Sequence, residues 1–195
     1  MALGLAMILN LSNVINFAHG NFLALGGYIA FALVPLIGFW GALVLAPIAV
    51  ALIGLILEPT IFRPVYGRDP VYSLLLTFGL AFIIQDVCRY IWSPDPLQFT
   101  LPQSINQPVS QQLFFLTGYR LFIIGIVVAA VVALFLFLRY SRMGIRIRAG
   151  VMDLETVSAL GINVRRLRSL NFGMGIFLAG LAGVLAGGQN GLNPN

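Results

Sequence analysis

The stretch that decides the fold is YRLFIIGIVVAAVVALFLFL at residues 119–138, in which Arg120 is the single charged side chain. A helix needs about 20 mainly apolar residues to cross the hydrocarbon core of a bilayer, and this stretch has that length. Lipid offers no hydrogen-bond partners, so the backbone must satisfy itself, as an α-helix does. The stretch therefore predicts a transmembrane helix.

The rest of the chain is also strongly apolar and carries few charges. Of its 195 residues, 59% are hydrophobic and 9% are charged, against about 25% charged in soluble domains. The first 57 residues contain no Asp, Glu, Lys or Arg. Apolar segments occur at residues 1–15, 22–35, 39–57, 71–92, 119–138 and 170–188. Proline and glycine at residues 35–38 divide the second segment from the third, so these two are predicted to form a helical hairpin. We therefore expect an all-α polytopic membrane helix bundle with about six hydrophobic segments, forming a single transmembrane domain over residues 1–195.

Charge is concentrated in one loop, residues 139–168, which has seven arginines and two acids. Its excess of positive charge equals the net charge of the whole chain, +5. Loops rich in arginine stay on the cytoplasmic side of the membrane, so we predict that this loop is cytoplasmic.

The rarer residue types limit the reactions that this chain could catalyse. All eleven basic residues are arginines, and a phosphate-binding loop of the Walker type needs a lysine. Any ATP hydrolysis is therefore expected in separate subunits. One histidine and one cysteine are too few for a membrane-embedded enzyme, so we predict a protein without catalytic residues, metal or cofactor.

A short helix is predicted inside the basic loop, at residues 153–161. It has an N-cap, an acid in the first turn, a terminating glycine and an apolar face, and a second cap follows it. The residues concerned are Asp153, Glu155, Gly161, the face of Leu154, Val157 and Leu160, and the following cap Asn163. Such a helix either contacts a partner protein or lies in the lipid interface, and spacing alone leaves both open.

Polar side chains cluster at the end of the first apolar segment. Asn13 and Asn16 are about one helical turn apart, and His19 lies between Asn16 and Asn21. Polar groups at membrane depth need partners, so structural hydrogen bonding is the favoured interpretation, and a lining of the substrate path is the alternative. A metal site or proton relay has no second ligand to support it.

Four motifs resemble one protein family. They are VINFAHGNF at 14–22 with LGGY at 25–28, TFGL at 77–80 with Gln85 and SPDP at 93–96, RAGVMD at 148–153 and ALGIN at 159–163 with LAGVL at 181–185, and Glu58 with FRP at 62–64. Together they are similar to the permease subunits of branched-chain amino acid ABC importers, whose signature ends in Asn-Phe-Ala-His-Gly. The resemblance covers nearly the whole chain.

The resemblance implies a permease subunit that moves branched-chain amino acids inward across the cytoplasmic (inner) membrane of a bacterium or archaeon. It implies that residues 153–161 are a coupling helix docked on an ATPase. The implied partners are a second permease subunit, two cytoplasmic ATPases, an extracytoplasmic substrate-binding protein and membrane lipid, with no nucleic acid. Family members begin earlier and continue further, so we expect an incomplete permease domain. A urea or short-chain amide permease and a non-ABC channel or scaffold are the alternatives.

Overall fold

The computed structural model describes residues 1–12, 14–92, 95–98, 100–103, 105, 107 and 117–192. Their regular structure is helical, apart from isolated bridge residues, among them the antiparallel pair Leu97 and Leu192. The helices are α1 (Ala2–Ser12), α2 (His19–Leu57), α3 (Pro70–Trp92), α4 (Gly118–Tyr140), α5 (Arg142–Met152), α6 (Leu154–Ala159) and α7 (Val164–Asn190). A π-helical turn, Glu58–Phe62, and a 3-10 turn, Arg63–Val65, continue α2 toward α3.

Within these residues, four helices are long and apolar enough to cross a membrane: α2 with its two following turns, α3, α4 and α7. Helix α1 is apolar but shorter. The prediction of an all-α membrane bundle is confirmed, whereas the count of six hydrophobic segments stays a prediction.

Helix α2 reverses direction at Gly38, where φ is +72° and the backbone leaves the helical region. Residues 26 and 50 would be about 36 Å apart in a straight helix. Both nevertheless contact Gly180 of α7: a Cβ added to Gly26 would lie 2.6 Å from the Gly180 Cα, and one added to Gly180 would lie 3.2 Å from the Val50 Cβ. The chain therefore folds back within residues 35–38, the division predicted from proline and glycine.

The chain divides into two compact units, residues 1–99 with 162–195, and residues 100–161. The first is organised around α7, against which α1 and both arms of α2 pack. A stripe of small side chains on α7 is buried and allows this close approach: Gly175, Ala179, Gly183 and Gly187. A Cβ on Gly175 would lie 2.7 Å from the Gly4 carbonyl oxygen of α1, so glycine is required there.

The second unit contains α4, α5 and α6. None of the apolar window of α4 is buried, which suits a helix that faces lipid or partner helices. Helix α5 was not predicted, since residues 139–168 were expected to be a loop with one short helix. Ser141 caps α5 by accepting a hydrogen bond from the Gly144 N–H at 2.8 Å, and helix α7 already begins at Val164.

Candidate functional site

Helix α6 has the predicted caps. The Asp153 carboxylate accepts hydrogen bonds from the N–H groups of Glu155 and Thr156, each at 3.0 Å, and from the Thr156 hydroxyl. These bonds, the one from the hydroxyl foremost, hold the pKa of Asp153 below its ordinary value. Gly161 follows the helix with φ +78°, a conformation that favours glycine. Local hydrogen bonding thus defines both ends of α6.

The apolar face of α6 is only partly available to a partner. Val157 is 3% exposed and therefore buried within the chain, whereas Leu160 is 73% exposed. Leu154 has intermediate exposure. Because α6 packs against α5, the outward apolar surface is narrower than the spacing of the three residues suggested, and Leu160 is its main member.

Asn163 begins α7 as predicted. Its side-chain oxygen accepts a hydrogen bond from the Arg166 N–H at 3.1 Å, and its backbone oxygen accepts one from the Leu167 N–H at 3.1 Å. The side-chain bond satisfies one amide group that the first helical turn leaves without an intrahelical partner, and the backbone bond is the first regular hydrogen bond of α7.

Residues 14–18, where the Asn-Phe-Ala-His-Gly signature begins, are not helical, and we call them the break between α1 and α2. Asn16 is 2% exposed there, and neither its side-chain nitrogen nor its side-chain oxygen has a hydrogen-bond partner among the described residues. The neighbouring Phe17 ring stacks on the Phe78 ring of α3, with centroids 4.7 Å apart. The break therefore contains a buried amide, that of Asn16, which makes no hydrogen bond to the described residues.

Two further polar residues of the signature contact other helices. The His19 Nε2 lies 3.3 Å from the Met1 carbonyl oxygen, and the Asn21 side chain donates to the Ala81 carbonyl oxygen of α3 at 2.8 Å. His19 and Asn16 are close in the chain at the start of α2, whereas Asn21 points to α3. Asn13 lies outside the described residues.

Sequence reasoning missed a buried polar cluster at the junction of α2 and α7. Glu58 is fully buried and accepts a hydrogen bond from the Arg63 guanidinium at 2.9 Å and another from the Ser169 hydroxyl. Beside it the Arg168 guanidinium lies 4.9 Å from the centre of the Tyr66 ring. Burial, together with the charge of Glu58, raises the pKa of Tyr66. The available signal was that Glu58 is the first charge after 57 uncharged residues.

Asn171 was also missed. It is fully buried, and its side-chain nitrogen donates to the Met7 carbonyl oxygen at 2.6 Å. Asparagine within an apolar helix is a sequence signal of helix-to-helix hydrogen bonding, and here it joins α7 to α1.

These features define a polytopic helical membrane protein with an interrupted helix near its start and two short capped helices between its last long helices. The model of the family described as branched-chain amino acid transport system / permease component matches residues 1–194. The chain therefore belongs to this permease family.

Curated relatives agree with the family match. The high-affinity branched-chain amino acid transport system permease protein LivH of Escherichia coli is 30% identical over 217 residues, covering 100% of this chain and 68% of the relative. The corresponding protein BraD of Pseudomonas aeruginosa is 29% identical over 210 residues, with 100% and 68% covered. A probable LivH of Methanocaldococcus jannaschii is 26% identical over 196 residues, with 95% and 60% covered. No solved structure matches the chain significantly.

Family membership confirms several predictions. The chain is a component of transport systems rather than an enzyme, and it is an integral protein of the inner membrane. The family works with ABC transporter partners in general. The urea permease and the channel or scaffold are not favoured, because the family and the relatives carry branched-chain amino acid permease names.

Proposed function

We propose that this chain is the transmembrane permease subunit of an ABC importer that moves branched-chain amino acids inward. The observation that carries the proposal is the family match over residues 1–194. The four long apolar helices supply the membrane domain that such a subunit needs. Its partners are a second permease subunit, two cytoplasmic ATPases that hydrolyse ATP, and an extracytoplasmic binding protein that delivers the substrate.

Coupling to the ATPases is assigned to the α6 region: Asp153, Leu154, Val157, Leu160, Gly161 and Asn163. Asp153 and Gly161 define the two ends of α6. A displacement of this helix by an ATPase would therefore be transmitted to the chain on either side of it. Leu160 is the side chain that an ATPase would contact, since it is 73% exposed whereas Val157 is buried. Val157 keeps α6 packed and therefore contributes to its position.

Leu160→Glu is expected to reduce co-purification of the ATPase subunits with this chain about tenfold, because a charge would enter an apolar contact. The measurement is a pull-down of the assembled transporter from membranes. Ile145→Glu on α5 is the matched control, as Ile145 is also exposed and the change in charge is the same. Equal ATPase recovery from both variants would contradict the assignment of α6 to coupling.

The substrate path is assigned to the break between α1 and α2, with Asn13, Asn16, His19 and Asn21. Interrupted helices form binding sites in transporters because their free backbone groups and helix ends face the substrate. The buried Asn16 amide supports this assignment, because it has no hydrogen-bond partner among the described residues. An amide can accept from the ammonium group of an amino acid or donate to its carboxylate.

Asn16→Ala is expected to lower uptake of labelled leucine by the assembled transporter about tenfold, the loss of one or two substrate hydrogen bonds. Its thermal stability should stay unchanged, because the Asn16 side chain makes no hydrogen bond within the described chain. Asn171→Ala is the contrast: losing its bond to Met7 should cost about 1–3 kcal/mol of stability. Uptake at the unaltered rate by Asn16→Ala would remove this residue from the path.

A further inference from the structure

An open cavity of about 470 Å³ lies beside the first two turns of α7. Cavities of a few hundred Å³ are large enough to hold a small ligand or headgroup. Its lining joins the segment after α2 to the start of α7, and five of the six lining residues are polar or charged: Arg63, Asn163, Arg165, Arg166, Ser169 and Leu170. Asn163 also belongs to the coupling region, but neither the family name nor the transport function assigns a ligand to this cavity.

The cavity has an excess of positive charge. Arg63 is balanced by its ion pair with the buried Glu58. Arg165 and Arg166 are exposed, and no carboxylate in the described part of the chain pairs with either of them. Two uncompensated guanidinium groups at the wall of a cavity attract anions, and guanidinium groups bind phosphate oxygens in pairs.

The cavity also lies where α7 changes from basic to apolar. Residues 164–169 contain three arginines, whereas residues 170–188 contain no charged residue. Leu170, which is 43% exposed, marks the change and forms part of the wall. In a transmembrane helix, this change coincides with the boundary between the hydrocarbon core and the headgroups.

We propose that this cavity binds the phosphate of an anionic phospholipid headgroup, with Arg165 and Arg166 on the phosphate and Leu170 beside the acyl chain. A soluble phosphate would use the two guanidinium groups but not Leu170. An acidic segment of a partner protein would approach from water. Leu170 instead places one wall of the cavity at the edge of the hydrocarbon core. The proposal is independent of the transported substrate, and its test uses no transport.

The test measures binding of dioctanoyl phosphatidylglycerol to the purified full chain by native mass spectrometry. Arg165→Gln/Arg166→Gln is expected to weaken this binding about tenfold or more, because each arginine near a headgroup contributes about a factor of five. Arg146→Gln/Arg148→Gln on α5 removes the same charge outside the cavity and should change the binding less than about twofold. Equal effects of the two pairs would overturn the proposal.

One competitor and one pull-down separate the lipid from other sources of the anion. Inorganic phosphate at the concentration of the lipid should not displace it, and displacement would show that the cavity binds free phosphate instead. If only the Arg165/Arg166 variant lost the ATPase subunits while keeping lipid binding, the cavity would belong to an acidic partner segment, which also overturns the proposal.

Should the glutamine variant fail to fold, Arg165→Lys/Arg166→Lys is the alternative, because it keeps the positive charge but removes the planar guanidinium groups. It should retain phosphatidylglycerol binding in excess of dioctanoyl phosphatidylcholine binding, and equal binding of the two lipids would overturn the proposal.

Discussion

Gly183→Ala is expected to destabilise the packing of α7 against α2 by about 3 kcal/mol or more. The added methyl group would overlap the Leu23 carbonyl oxygen of α2 and lie 3.0 Å from the Gly27 nitrogen. Backbone atoms cannot move aside as a flexible side chain can, so the two helices must separate. The measurement is thermal unfolding of the purified chain in detergent, together with its yield from membranes.

Two glycines in other helices provide matched controls for Gly183→Ala. A Cβ at Gly79 of α3 or at Gly125 of α4 would meet nothing within 4 Å. Alanine at these positions should be neutral or stabilise the chain by up to about 1 kcal/mol, since alanine favours the helix more than glycine does. If all three variants melted alike, the close approach of α2 and α7 would be refuted.

Arg63→Met is expected to cost about 3 kcal/mol of stability, because it leaves the charge of the fully buried Glu58 without its cation. The Ser169 hydroxyl would remain as a donor to this carboxylate but carries no charge. The effect should appear as a lower midpoint in a denaturing-detergent titration. It should also weaken the attachment of the segment after α2 to α7.

The double variant Glu58→Met/Arg63→Met sharpens this prediction. Removing both charges should restore stability to within about 1 kcal/mol of the unaltered chain, as replacing a buried ion pair with apolar side chains often does. Arg68→Met serves as the control, since Arg68 is exposed in the same connection. A double variant no more stable than Arg63→Met would show that the uncompensated charge is not the cause.

Features that depend on neighbours in the chain could be predicted from the sequence. Asp153 and Asn163 cap their helices through amides two or three residues away, and Gly161 ends α6 through its own backbone conformation. The reversal in α2 was predicted for the same reason, because proline and glycine act on the local backbone. Helix α5 was missed because its arginines interrupt any continuous apolar run.

Features that depend on packing between helices could not be predicted. Val157 is buried, so the exposed apolar face of α6 is narrower than the regular spacing of Leu154, Val157 and Leu160 predicted. Glu58 meets Ser169 from 111 positions away, and Asn171 meets Met7 from 164 positions away. Hydropathy reports how apolar a segment is, but it contains no information about which segment packs against it.

Sequence motifs carried a resemblance that the family match confirmed. Composition and local spacing were enough to predict an all-α membrane protein, its apolar helices, and the caps of α6 and α7. They were enough because the bilayer imposes helix length and hydropathy on each segment separately. Three-dimensional packing was needed to show which polar groups are partnered, that Leu160 faces outward, and that Arg63 and Arg166 line one cavity. The polar partners and the cavity arise from contacts between segments that are far apart in the sequence, and the outward position of Leu160 arises from the packing of α6 on α5, so no single segment contains these properties.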